Sequence, residues 1–280
     1  MKAICLAIWL AVASAGHAWA WGQEGHSIVA EIAQRRLTPE AAAMMEQVLG
    51  RGHSLASIAS WADDVRDLRT GKWHFVDIPI ASMEYDPATQ CEPGEDNSPG
   101  CIITELEQLK NDLRCAPDAE GKKDALRYAV HFVGDIHQPL HTVREEAGGN
   151  GIEVVVYMRG QTCPGRCRPE PILTNVHFVW DSTLINKTVW AWGSHVSRLE
   201  EGWLKSPEAR GVDGGTPLQW ALETHKVAQA VWNLTPDNKV LDDAYYRKAL
   251  PMLDKQLGLG GLRLARFLNN AYASKQCPVR

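Results

Sequence analysis

"HFVGDIHQPLH", residues 131–141, joins helically spaced metal-ligating side chains to a proline that ends the helix. His131 and Asp135 are four apart, so on a helix they project from one face and can meet one ion. The proline at 139 lacks a backbone donor and its ring clashes with the preceding turn, which predicts a helix from about Lys122 to Gln138. His141 follows that stop, where a turn can bring it back toward the same face. His137, two residues after Asp135, points elsewhere and is expected to pack or to support its neighbours.

The spacing recurs in "NVHFVWD", residues 175–181, where His177 and Asp181 are again four apart in a stretch of helical period. Each pair alone also describes two hydrogen-bonded surface side chains. Asp63 in "SWADDVR", His74 in "WHFVD" and His26 in "WGQEGH" enlarge the set, and eight ligands exceed one tetrahedral ion. A cluster of ions follows. Imidazoles and carboxylates without thiolate favour zinc over calcium or magnesium, a chemistry that manganese and iron share.

The rest of the chain reads as helix. Thr38 and Pro39 supply an N-cap and first-turn proline for a helix to about Leu49, closed by Gly50. Ile102, Ile103, Leu106, Leu109 and Leu113 form an apolar stripe at three- and four-residue spacing. Thr216 and Pro217 open another helix, and the last two are predicted over Val240–Leu257 and Leu262–Ala273. Only Ile152–Met158 has the character of a strand, after Gly148 and Gly149 as in a hairpin. The fold class is all-α, a single compact multi-helix domain with a small β-hairpin insertion. Among eleven tryptophans, Trp190, Trp192, Trp203 and Trp232 are expected to pack in the core.

Residues 1–20 carry Lys2, an apolar run and a small-residue stop with Ala18 and Ala20, the pattern of a cleavable signal peptide. The mature domain then covers 21–280, begins at Trp21, and is secreted or periplasmic with no membrane anchor. Losing Lys2 moves the formal charge from −5 to −6, too acidic to hold a polyanion unaided. Of seven cysteines, Cys5 leaves with the signal, and the remaining even number suits disulfides in an oxidising compartment. Cys163 and Cys167 read as a short disulfide loop, and Cys91 with Cys101 as another candidate bridge.

Taken together, "WGQEGH", "SWADDVR", "WHFVD", "HFVGDIHQPLH", "GGN" and "NVHFVWD", in this order, resemble the zinc-dependent single-strand nucleases and 3′-nucleotidases, distant relatives of the zinc-dependent phospholipases C. The resemblance runs from residue 21 to about 182, and beyond that only helical character matches. It implies a trinuclear cleft: one Zn²⁺ on Asp63, His74, His131 and Asp135, a second on the α-amine and carbonyl of Trp21 with His26 and a bridging Asp135, and a third on His141, His177 and Asp181. A bridged pair of such ions lowers the pKa of water toward about 7.

By the same resemblance, the reaction is endonucleolytic hydrolysis of P–O3′ bonds in single-stranded DNA and RNA, leaving 5′-phosphates, together with removal of phosphate from 3′-nucleotides. Asp63 orients the attacking water and Arg66 binds a phosphate oxygen, although Arg66 also suits an ion pair with Asp63 or Asp67. Phe75 stacks on a base, Asp77 meets its edge, and Asn150 lies near the scissile phosphate. The expected protein is a monomer. The rival readings are a zinc-dependent phospholipase C, whose ligand set generally ends in Glu where this chain has Asp181, and a non-catalytic secreted zinc-binding protein.

Overall fold

In this computed structural model, residues 21–94, 96–273 and 277 are described, and the signal peptide expected over 1–20 lies outside them. Helix α1, Gln23–Gln34, is buried along most of its length and packs against the C-terminal helix. Helix α2, Pro39–Leu49, starts where Thr38 accepts the Ala41 N–H and ends at Gly50, as expected. A single turn, α3, spans Trp61–Asp64. Helices α4, Ile102–Cys115, and α5, Ala119–Asp135, pack side by side, with the predicted stripe of α4 buried.

Helix α5 ends at Asp135, three residues short of the predicted stop. The proline opens a tight turn, Pro139–Thr142, in which the Gln138 side chain accepts the Leu140 N–H. A residue before proline avoids helical dihedrals, so the helix finishes early and His141 is swung round rather than carried along.

The strand expected over Ile152–Met158 is β1, Glu153–Val156. It pairs antiparallel with β2, Ile172–Asn175, across a loop closed by the Cys163–Cys167 disulfide. Gly148 and Gly149 do not form the hairpin turn; they belong to the turn Glu146–Gly149 that precedes β1. A third strand, β3, Val240–Leu241, joins β1 in parallel where a helix was expected to begin. The Cys91–Cys101 bridge is present, and Cys115–Cys277 ties the C-terminal segment to α4.

Residues 176–188 form one helical stretch, α6, containing a widened turn over Val179–Thr183. Helices α7, Trp192–Glu201, and α8, Pro217–Leu234, follow, the latter capped reciprocally by Thr216 and Gln219. The two C-terminal helices expected over Val240–Leu257 and Leu262–Ala273 are one, α9, Asp243–Ala273, which runs through the glycines at 258, 260 and 261. A β-carbon at Gly260 would lie 3.2 Å from Val29, and one at Gly261 2.3 Å from Ile32. These glycines admit α1 at close range, and its packing outweighs their helix cost of about 1 kcal/mol each.

Trp190 is 96% exposed and Trp192 37%, against the expectation that both are core. They sit at the bend between α6 and α7. Trp203 and Trp232 are partly buried; Trp232 packs against the core, while the Trp203 ring lies against Gly258 of α9. Among the described residues, no helix is long and apolar enough to cross a membrane.

Candidate metal centre and adjoining cavity

Three His/Asp groups converge among the described residues: His26, His131 and Asp135; Asp63, His74 and His131; and His141, His177 and Asp181. Within each group the potential ligand atoms lie within 4.8 Å of one another. All eight side chains come from the sequence reading, and six separate segments deliver them.

Asp135 stands at the centre. One carboxylate oxygen lies 3.3 Å from His26 Nε2, and the other 3.0 Å from His74 Nδ1 and 3.2 Å from His131 Nε2. Asp63 Oδ1 is 3.6 Å from His74 Nδ1 and 3.5 Å from His131 Nε2. His131 thus faces both of the first two groups, and its ring stacks on His26 at 3.9 Å between centroids.

Backbone carbonyls set three of the imidazoles. His131 Nδ1 donates to Ala59 O, His141 Nδ1 to His74 O and His177 Nδ1 to Gly148 O, each at 2.7 Å. A carbonyl only accepts, so each Nδ1 carries a proton, and in its neutral form each ring offers its Nε2 lone pair inward, as metal-ligating histidines do. Gln138 Nε2 donates to Asp181 Oδ1 at 2.5 Å and fixes the last carboxylate.

The donor set fits cations. His26 Nδ1, His74 Nε2, Asp63 Oδ1 and Asp135 Oδ1 are buried and accept or donate no hydrogen bond. Two imidazole nitrogens, His131 Nε2 and His74 Nδ1, approach to 3.1 Å with carboxylates beside them. Burial pushes His74 down to about 4 and His141 down to about 3, and it drives Asp181 well above the usual carboxylate range. Burial opposes a charge on His131 too, but Asp135 and Asp63 outweigh it and push that imidazole up to about 10. Dications at these points would instead favour neutral imidazoles beside ionised carboxylates.

Trp21 is fully buried, and its indole Nε1 donates to Gly134 O at 2.9 Å. Gly134 is also where a β-carbon would come within 2.8 Å of His26 Nδ1, so this glycine leaves room for both residues. His137 turns away as expected, with Nδ1 donating to Val133 O at 2.7 Å and Nε2 accepting from Arg263 at 3.1 Å. His195 and His225 are buried on other partners, Asp254 and Thr142 O, and His53 is exposed.

A cavity of about 460 Å³ opens beside the third group, with Arg66, Phe75, Asp77, Arg144, Ala147 and Asn150 on its walls. Arg66 lies beyond the end of α3 rather than on its face, and donates to Gly71 O at 3.2 Å. Asn150 donates to Ala147 O at 2.8 Å. Burial raises the Asp77 carboxyl above its ordinary range against the pull of Arg144 and Lys72.

Sequence reasoning missed Arg144 and the turn before Asn150. Glu146 and Ala147 have φ of 50° and 51°, left-handed values costly for residues with a β-carbon, and Gly148 follows at 65°. That turn aims the Gly148 carbonyl at His177. The residues at 144–147 lack any motif of their own, and only their distance from "QPLH" and "GGN" could have pointed to them.

The S1/P1 nuclease family model matches residues 21–273. Nuclease PA3 of a Penicillium species is 30% identical, the alignment covering 91% of this chain and 99% of that protein. Nuclease P1 of Penicillium citrinum is 29% identical over the same shares. Endonuclease 4 of Arabidopsis thaliana is 28% identical, over 91% of this chain and 90% of its own. A match that spans all three His/Asp groups and the cavity, and continues through α9, places the chain in the S1/P1 nuclease family.

Proposed function

We propose that this protein is a zinc-dependent nuclease that hydrolyses P–O3′ bonds in single-stranded DNA and RNA to 5′-phosphorylated products, and that it also removes phosphate from 3′-nucleotides. The observation that carries this reading is the convergence of three His/Asp groups beside a cavity walled by an aromatic ring, a carboxylate and two guanidiniums.

Asp63, His74, His131 and Asp135 would hold one ion, Trp21 and His26 with Asp135 a second, and His141, His177 and Asp181 a third. Bound there, Zn²⁺ supplies Lewis acidity toward phosphate oxygens and toward water. Asp63, almost wholly buried yet at the edge of the cluster, orients the attacking water and takes up its proton. Arg66 forks onto a non-bridging phosphate oxygen, where a guanidinium matches the geometry and cannot lose its charge. Phe75 offers a face for one unpaired base and Asp77 an acceptor for its edge. A duplex, with bases stacked inward, cannot present a base this way. Asn150 holds the phosphate side of the cavity.

Residues 1–20 are removed as a signal peptide after Ala20, and the domain 21–280 works outside the cytoplasm as a monomer. Three disulfides support an oxidising destination.

The test is metal content of the secreted protein, together with hydrolysis of denatured DNA, native DNA, 3′-AMP and lecithin. Three zinc ions per chain, faster cutting of denatured than native DNA, and 5′-phosphate ends are expected. Cleavage of lecithin in place of DNA, or zinc binding without turnover of any substrate, overturns the reading.

A further inference from the structure

We infer that Arg144 reads the edge of the base held by Phe75 and Asp77, and that the cavity selects guanine. This rests on the nuclease reading above.

Backbone pairing puts the residues in place. Segment 75–78 runs parallel to segment 141–144: Val76 N–H donates to His141 O at 2.9 Å, Arg144 N–H donates to Ile78 O at 3.1 Å, and Ile78 bridges to Val143. Val76 and Ile78 are buried, so the alternate residues Phe75 and Asp77 turn to the cavity, as two-residue periodicity requires. Arg144 reaches the same cavity from the neighbouring segment.

The two charged groups face one space without closing on each other. Asp77 forms no ion pair among the described residues. Among the described residues, the carboxylate paired with Arg144 is Glu145, at 3.5 Å, and the Arg144 side chain is 60% exposed. Glu145 is itself held by the Ile80 N–H at 2.8 Å on its other oxygen, so it does not follow Arg144 into the cavity. Arg66, the second cation on the wall, is engaged with Gly71 O and lies toward His74, which leaves it to the phosphate.

A ligand that satisfies both Asp77 and Arg144 carries adjacent donors on one side and acceptors on the next. Stacking on Phe75 does not choose among bases, because every base has a π-face. The edge does. Guanine alone offers two neighbouring N–H groups, at N1 and N2, to a carboxylate, and then O6 and N7 to a guanidinium fork. Adenine at N1 and cytosine at N3 turn a lone pair toward the carboxylate, and thymine and uracil flank their single N–H with carbonyls.

The experiment compares wild type with Arg144→Gln and Arg144→Lys on short oligo-dT strands carrying one dG, dA or dC, mapping the cut positions. In parallel, calorimetry measures binding of GMP and CMP, which needs no hydrolysis. Wild type is expected to favour the dG strand and GMP by about tenfold, and Arg144→Gln to reduce that ratio to about twofold or less. Unchanged metal content and thermal midpoint in the variants certify the fold. Cutting of single strands without guanine preference, or an equal loss on all strands in Arg144→Gln, overturns the base-reading role and leaves the nuclease reading standing. Guanine-selective binding that depends on Arg144, with no cutting of any strand, overturns the nuclease reading and leaves this one.

Discussion

The indole Nε1 of Trp21 donates to the carbonyl of Gly134 at 2.9 Å, which pins residue 21 against the helix that carries His131 and Asp135. The next residue is held as firmly, since Gly22 N–H donates to Asp181 O at 2.9 Å. If the freed Trp21 amine is a ligand beside His26, one extra residue turns that amine into an amide without an available lone pair. A Met-extended chain should fold, contain fewer zinc ions than the secreted form, and regain metal and activity once the Met is removed. Equal metal content and equal single-strand hydrolysis in the extended and secreted forms would reduce Trp21 to packing.

Asp63→Asn keeps the size of the side chain but neither carries a charge nor accepts a proton. Turnover should fall by at least a hundredfold, on the order expected for loss of a general base. Most of the zinc should remain, because His74, His131 and Asp135 still converge. Rates near wild type would remove Asp63 from the chemistry.

Phe75→Ala should weaken single-strand binding by about 1–3 kcal/mol, the worth of one base–aromatic stack, with zinc content intact. Fluorescence anisotropy with a short oligonucleotide reads the loss. An unchanged affinity in a folded variant would assign the ring to the cavity wall alone.

Gly148→Ala tests the left-handed turn. Its φ is 65°, and a β-carbon would sit 2.6 Å from the Leu140 carbonyl, so the turn must shift and the hydrogen bond to His177 Nδ1 with it. Destabilisation of about 1–3 kcal/mol is expected from the strained backbone. Loss of one zinc ion, that of His141, His177 and Asp181, should accompany it. Calorimetry with metal analysis checks both, and full metal content would show that the Gly148 carbonyl does not set the ligand.

Glu105 lies buried on α4 with Oε2 lacking a hydrogen-bond partner. Burial, assisted by Asp112, raises its carboxyl from 4.5 to about 8. Between those values the folded state holds a proton that the unfolded state has released, so this group's contribution to stability is lost as pH rises from about 4.5 through 8. Glu105→Gln removes the titration. The thermal midpoint of the variant should therefore gain on wild type as pH is raised across that window, and a constant difference would place the carboxylate in a solvated position.

Some of this protein is determined by local spacing in the chain. The four-residue steps His131 to Asp135 and His177 to Asp181 put each pair on one face, because a helical turn is 3.6 residues. Thr38 with Pro39 and Thr216 with Pro217 start helices, because a side-chain oxygen and a fixed φ suit the first turn. The kinds of donor, all imidazole and carboxylate, are equally readable without a fold. What the spacing cannot contain is which segments meet. His26 reaches Asp135 only because α1 is buried against α5, and α9 continues through its glycines only because Val29 and Ile32 fill the space above them. Gly148 aims its carbonyl at His177 through a left-handed turn that no propensity favours. Arg144 stands beside Asp77 through a parallel pairing between segments more than sixty residues apart. These relationships come from burying apolar side chains distant in sequence, a free energy that belongs to the packed whole and to no single stretch of the chain.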